Sequence, residues 1–320
     1  MISTLRTLFK MTRPLNIVIA VITLVASYML LNYYRGLLIM PLQALGFAAA
    51  IAFANIENDV RDLESDRLNR PERPLVTGKI TVKTARRAWK TIALLMLFCG
   101  FLDTVIQGII FFHLVGDIDH ALVFGWVGLY ILTFPLWFFA LLGALLLAYN
   151  NKLKHIPLIK NMTVAFLCTT PLLFATQYFY NYSDSLNPEA HIWAVIPAIP
   201  FAFLLTLARE IYKDLEDETG DLKAGIMTFP IVAGAQKARR LANIIILFTW
   251  ISLPLPVFCL DKVFDYNYPP LFLIITAITL TPCFAIAIWS AHHKNYRRAQ
   301  SVTKIAMFLG LLALLICSMI

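Results

Sequence analysis

Charge is scarce in this chain. Only 14% of its 320 residues are Asp, Glu, Lys or Arg, against about 25% in ordinary soluble domains. Mean hydropathy is +0.73 and 59% of the residues are hydrophobic, which excludes a soluble domain with a large core and points to an integral, multi-pass membrane protein. Cysteine is equally sparse. Cys99, Cys168, Cys259, Cys283 and Cys317 are far apart and lie inside apolar runs. That spacing offers neither a disulfide framework nor a metal-ligand pattern, so they are expected as small core residues. A cleavable signal peptide is not expected either. Met1 to Pro14 is a short basic, amphipathic lead-in, and the apolar run behind it is long enough to span.

Long hydrophobic runs are what the chain has in plenty. A span needs about 20 mostly apolar residues. Nine candidates satisfy this, at roughly Asn16–Tyr34, Leu38–Asn58, Trp89–His113, Leu122–Ala148, Met162–Tyr180, Ile192–Tyr212, Leu241–Leu260, Leu271–Trp289 and Val302–Ile320. Pro135, Pro171, Pro197, Pro200, Pro254 and Pro282 interrupt them, and neighbouring helices must satisfy the freed carbonyls. The expected fold is an all-α, polytopic membrane helix bundle with nine transmembrane helices. With nine spans, all lysines and arginines except Arg35 and Lys262 fall on one side. That bias makes the basic side cytoplasmic. The net charge of +8 therefore reflects topology, and no nucleic-acid partner is expected.

The acids are the exception to scarcity, because they are concentrated. Twelve of the nineteen lie in two stretches, Glu57 to Glu72 and Glu210 to Asp221. The first places Asp59, Asp62 and Asp66 at i, i+3 and i+7, with Asn55 one turn earlier. On a helix these four share one narrow face, while Glu57 and Glu64 point away. The second repeats the spacing 155 residues later, with Glu210, Asp214, Asp217 and Asp221. Like charges at i,i+3 and i,i+4 destabilise a helix, so a cation is expected at each face. Both stretches end apolar segments on the cytoplasmic side. They imply one membrane-embedded domain, 1–320, of two motif-bearing halves, about 1–150 and 151–320, that face one cavity.

Six aspartates on two helix ends form a site for hard divalent cations. Mg²⁺ takes oxygen ligands and binds through a few carboxylates plus substrate phosphates. Two such ions could bridge a diphosphate. The remaining phosphate charge would fall to Arg67, Arg70 and Arg73, and to Lys152, Lys154 and Lys160. A cytoplasmic diphosphate clamp on an apolar bundle fits an isoprenoid diphosphate, its tail lying between helices.

Two motifs carry a family resemblance. Asn58-Asp59-x-x-Asp62-x-x-x-Asp66, followed by Arg70-Pro-x-Arg73-Pro74, and Asp214-x-x-Asp217-x-x-x-Asp221 resemble the paired motifs of the UbiA-type intramembrane prenyltransferases. Arg13-Pro14-Leu15-Asn16, Tyr149 to Asn161 and Arg209-Glu210 are also similar to that family, so the likeness covers most of the chain. It implies nine helices and a cytoplasmic active site where Mg²⁺, two ions, is held by Asp59, Asp62, Asp66, Asp214, Asp217 and Asp221. Asn55, Asn58, Arg67, Arg70, Arg73, Tyr149, Lys152 and Lys154 would serve the diphosphate. A prenyl group would pass from a polyprenyl diphosphate to a membrane-associated acceptor, with release of pyrophosphate. The stretches Asp66 to Pro74, Tyr149 to Lys154 and Gly220 to Gly225 are closest to the branch that alkylates geranylgeranylglycerol phosphate. Homogentisate, 4-hydroxybenzoate and dihydroxynaphthoate remain alternative acceptors. In a bacterium the membrane would be the inner membrane.

Other residues compete for function. Asp103 lies inside the third span, where a charge is costly and a role is the default expectation. A hydrogen bond to Gln107, one turn on, is the bland alternative. His113, His120, His155, His191, His292 and His293 read as interfacial. A transporter or cation channel would use the carboxylates as a ring at its mouth, yet would need ionisable groups along a path through the membrane, and Asp103 is the one acid deep in a span. A structural scaffold leaves the paired spacing unexplained.

Overall fold

A computed structural model describes residues 2–31, 36–115, 125–186, 192–223, 225–264 and 269–317. Within them the chain is helical, and no strand occurs among the described residues. The helices are α1 (Ile2–Met11), α2 (Pro14–Leu30), α3 (Gly36–Arg61), α4 (Leu63–Asn69), α5 (Val82–Val115), α6 (Gly125–Asn151), α7 (Ile159–Leu186), α8 (Ala198–Lys223), α9 (Phe229–Ala233), α10 (Ala235–Ser252), α11 (Leu255–Phe264), α12 (Leu271–His292) and α13 (Tyr296–Cys317). Short 3₁₀ turns at Leu153–His155 and Ile192–Ala194 precede α7 and α8.

Seven of these helices are long and apolar enough to cross a membrane. They correspond to the second to sixth, eighth and ninth expected spans. The first expected span is the second arm of a helix pair, Thr4–Met11 and Pro14–Leu30, bent by 56°, which brings the total to eight if it crosses as one. The seventh expected span is two helices, α10 and α11, separated at Leu253 and Pro254. Proline has no N–H to continue the ladder and its ring crowds the preceding turn. Pro41, Pro135, Pro171 and Pro282 lie inside unbroken helices, while Pro197 and Pro200 fall at the start of α8. Arg35, His120, His191 and the expected outer loop 116–121 lie outside the described residues.

The chain divides into two compact units. The first comprises residues 1–22 and 35–151. Here α3 packs on α5 and α6. Gly46 lets Phe139 approach the α3 backbone, since a Cβ there would lie 2.5 Å from the ring. Gly100 does the same for α5 against the Pro135 carbonyl, 3.0 Å from such a Cβ. Asp103 is fully buried between these helices. It accepts hydrogen bonds from Gln43 Nε2 at 3.0 Å and Gln107 Nε2 at 3.3 Å, so the expected Gln107 contact is joined by one across the α3–α5 interface.

The second unit comprises residues 23–34 and 152–320. There α8 is the central helix, contacting α7, α10 and α13. Its core includes Leu205, Ala208, Ile211, Tyr212 and Leu215 against Ala242, Ile246, Phe284 and Ala306. The Tyr212 hydroxyl donates to Asn243 Oδ1 at 2.8 Å. In this unit threonine and serine hydroxyls turn back on their own helix. Thr169, Thr249, Thr276 and Thr303 all donate to carbonyls three or four residues earlier, as apolar surroundings require. Large apolar side chains point outward from the spans, among them Phe98, Trp137, Leu141 and Ile278. Cys99 and Cys317 are buried as expected, but Cys168 and Cys259 are exposed on outward helix faces, where a small apolar thiol sits at no cost in lipid.

Candidate active site

The first acidic cluster is built where α3 ends. Asn55, Asn58 and Asp59 occupy its last turns. The helix breaks at Asp62, whose backbone (φ −83°, ψ 8°) leads into α4. One continuous helix through all three aspartates was expected, and the break falls where three carboxylates crowd one face. The side chain of Asp62 does not cap α4. It accepts instead from Asn58 Nδ2 at 2.8 Å. Asp59 and Asp66, both buried, converge on a single guanidinium nitrogen. Arg73 Nη1 lies 2.7 Å from Asp59 Oδ1 and 2.6 Å from Asp66 Oδ2. Arg13 Nη2 adds a third contact, 3.3 Å from Asp59 Oδ1. Burial pushes the Asp66 carboxyl above its ordinary range, more than Arg73 pulls it down, and Asp62 adds to the upward shift.

Neighbouring residues hold this arrangement. Asn55 Nδ2 donates to the Thr12 carbonyl at 3.1 Å, which fastens the α1–α2 bend to α3. Arg13 sits in that bend with φ 55°. Glu57 points away from the aspartate face, as expected, but it is fully buried and bonded to both Arg61 and Asn150. Asn150 also donates to the Ala54 carbonyl at 3.1 Å, so the end of α6 is tied to the end of α3. Arg67 turns to Glu64, 3.0 Å away, on the exposed side. Arg70 is exposed.

The second cluster lies on α8, which runs unbroken through Asp214, Asp217 and Asp221. Asp214 is buried and held from α7. Lys160 Nζ lies 2.6 Å from its Oδ1, and Asn161 Nδ2 donates to its Oδ2 at 2.9 Å. Asp217 and Asp221 are half-buried and make no ion pair among the described residues. Glu210, in the place of Asn55, pairs with Arg209. Tyr149 lies in the last turn of α6, Lys152 caps the following 3₁₀ turn and Lys154 lies on it. Lys160, one of the three lysines expected in this loop, is paired with Asp214.

Sequence reasoning thus missed Arg13, Asn150 and Asn161 as individuals. All three lie in the stretches singled out around Arg13 to Asn16 and Tyr149 to Asn161, so position marked them although chemistry alone did not.

The donors suit a hard cation. Asp59 and Asp66 already share one positive nitrogen. Asn161 Oδ1 is buried without a hydrogen-bond partner, and amide oxygens, like carboxylates, are ligands for such ions. Among the described residues no three acidic, histidine or cysteine side chains form a closed cage.

Residues 120–312 match the UbiA prenyltransferase family. The chain is 31% identical over 315 residues to a digeranylgeranylglyceryl phosphate synthase of Methanopyrus kandleri, covering 97% of this chain and 98% of the relative. It belongs to the UbiA prenyltransferase family. Its helices superpose on a solved digeranylgeranylglyceryl phosphate synthase with a TM-score of 0.68 at 21% identity, over 99% of both chains. A UbiA homologue from Archaeoglobus fulgidus, solved with GPP and Mg²⁺, aligns with a TM-score of 0.53 at 16% identity, over 98% of this chain and 100% of that one. This chain is therefore a membrane prenyltransferase.

Proposed function

We propose that the enzyme transfers a geranylgeranyl group from its diphosphate to geranylgeranylglycerol phosphate, with Mg²⁺ as cofactor. The observation that carries this is the doubled cluster, in which Asp59 and Asp214 occupy equivalent positions, Asp59 held by Arg13 and Arg73 and Asp214 by Lys160 and Asn161. The acceptor follows from relatives named for a glyceryl phosphate that carries two geranylgeranyl groups. The fold neighbour solved with GPP and Mg²⁺ supports the cofactor.

In this reading Asp59, Asp62, Asp66, Asp214, Asp217 and Asp221 hold two Mg²⁺ ions, and Asn58 and Asn161 orient Asp62 and Asp214. The bound metal supplies positive charge to the diphosphate oxygens. Arg73 exchanges the two carboxylates for phosphate, with Arg70, Arg67, Lys152, Lys154 and Tyr149 adding contacts at the rim. The carbon–oxygen bond of the donor breaks with its electron pair on the departing pyrophosphate. Cationic side chains fixed beforehand stabilise that developing charge. The acceptor's free hydroxyl forms the new carbon–oxygen bond and loses its proton to the aqueous face. Apolar helices exclude water from the allylic cation. The single domain of two halves, nine spans and a cytoplasmic site complete the reading. The bias of Lys and Arg to one side of that topology supports it.

The test is label transfer from geranylgeranyl diphosphate by purified protein, with Mg²⁺ or EDTA. Mg²⁺-dependent label in the glycerol phosphate lipid is expected. Label only in homogentisate, 4-hydroxybenzoate or dihydroxynaphthoate would keep the chemistry and replace the acceptor. Cation flux in proteoliposomes without transfer would replace the enzyme with a transporter.

A further inference from the structure

Beside the first cluster lies an open cavity of about 780 Å³, lined by Arg6, Thr7, Lys10, Met11, Arg13, Asp59, Glu72, Arg73, Pro74 and Lys79. Five cations face two carboxylates there. Arg13 and Arg73 are committed to the aspartates. Arg6, Lys10 and Lys79 are exposed and hold no ion pair among the described residues. Topology alone asks only that such residues lie on one side of the membrane, and Arg86 or Arg87 would satisfy it without lining this cavity.

The position of these three is built. Arg6 and Lys10 are one turn apart on α1, so they share a face. Leu8 and Met11 pack α1 onto Ile56, Leu75 and Ile80, and Asn55 fastens the following bend. Lys79 follows a turn at Gly78, which has φ 71°. Leu5 and Phe9 remain exposed on α1, as suits a helix lying at a lipid surface.

We infer that Arg6, Lys10 and Lys79 bind the phosphate of the acceptor lipid and so select a phosphorylated glycerol over its neutral counterpart. The inference rests on the proposed acceptor class. A phosphate monoester brings about −2 charge at neutral pH, which three unpaired cations offset. The cavity reaches Asp59, so an acceptor anchored there has its hydroxyl beside the carboxylates that serve the donor. Donor and acceptor phosphates are then held by different residues, the first by the aspartates, metal and the cations beside them, the second by Arg6, Lys10 and Lys79.

The experiment compares geranylgeranylglycerol phosphate with unphosphorylated geranylgeranylglycerol in neutral detergent. Wild type should show the lower KM for the phosphorylated acceptor. Arg6→Gln, Lys10→Gln and Lys79→Gln should each raise that KM by about tenfold or more, the scale of one charge-assisted contact. KM for the donor and activity on the unphosphorylated acceptor should stay unchanged, which also shows that the variants fold. Lys10→Arg should retain the low KM, and Arg86→Gln should behave as wild type. A rise in donor KM instead, or equal use of both glycerols by wild type, overturns the inference alone. An effect seen only in anionic vesicles would assign these cations to the bilayer surface and also overturn it. Transfer by wild type to aromatic acceptors only would overturn the proposed acceptor and this inference together.

Discussion

The two acidic clusters have the same spacing and different support. In the first, the helix breaks at Asp62 and one arginine from the loop after α4 serves both Asp59 and Asp66. In the second, α8 continues through all three aspartates, and a lysine and an asparagine from α7 hold Asp214 alone, leaving Asp217 and Asp221 without ion pairs among the described residues. Local electrostatics account for the difference. Three like charges on one face strain a helix. The first cluster relieves this by bending and by cross-linking two carboxylates through Arg73. The second neutralises its most buried carboxylate and leaves the other two half-buried near the helix end. A planar guanidinium can serve two carboxylates at once, whereas an ammonium acts as a point charge.

The largest effect should come from the aspartates themselves. Asp59→Asn and Asp214→Asn should each lower kcat/KM by roughly 10²-fold or more, the scale for losing one preorganised electrostatic group. If only one of the pair mattered, the equivalence of the clusters would be broken. Next come the orienting amides. Asn58→Ala and Asn161→Ala should each weaken Mg²⁺ dependence by about 10- to 100-fold, as for residues behind metal ligands. A Mg²⁺ titration of transfer rate reads this, and an unchanged titration would show that those amides do not orient the ligands.

The cations sharpen the contrast. Arg73→Lys should cost more activity than Lys160→Arg, because the flexible lysine stem does not hold its charge fixed between Asp59 and Asp66 as the planar guanidinium does. Equal losses would mean that both act as simple point charges. The pH response is smaller. The Asp66 carboxyl titrates above its usual range, so the folded protein holds that proton more tightly than the unfolded chain does. Ionised Asp66 thus costs stability at neutral pH, and that cost is relieved as pH falls through the raised value. Cation binding needs the ionised form. Mg²⁺ affinity should therefore fall on acidification at a pH above the ordinary carboxylate range, as a titration calorimeter would record. Smallest is the Asp103 network. Gln43→Leu should lower thermal stability by about 0.6–2 kcal/mol, the range for polar contacts between membrane helices, with transfer activity retained. Loss of transfer would make Asp103 functional.

Much of this was legible in the sequence because the physics is local. Apolar runs of span length and the doubled Asp spacing are visible without a fold, and α8 carries its motif on one face as the periodicity requires. Arg73 was also marked, since it follows the first motif closely. What was hidden depends on contacts distant in sequence. Asn150 reaches Glu57 across 93 residues, and Asn161 reaches Asp214 across 53; neither asparagine has a spacing that declares it. Glu57 read correctly as turned away from the aspartates, but nothing local shows that a helix end 93 residues later supplies its burial. The break at Asp62 was missed because periodicity assumes a continuous helix, whereas three crowded carboxylates favour a bend. The opening between α10 and α11 was signalled by Pro254, yet hydropathy averaged across it.

The most direct test of the account is single-turnover transfer from labelled geranylgeranyl diphosphate to geranylgeranylglycerol phosphate, measured against Mg²⁺ for wild type, Asp62→Ala and Asp217→Ala. The account predicts Mg²⁺-dependent transfer in wild type and its loss in both variants, because in the proposed reading both clusters hold the metal for one reaction. Transfer that survives either substitution with its Mg²⁺ dependence unchanged would contradict it.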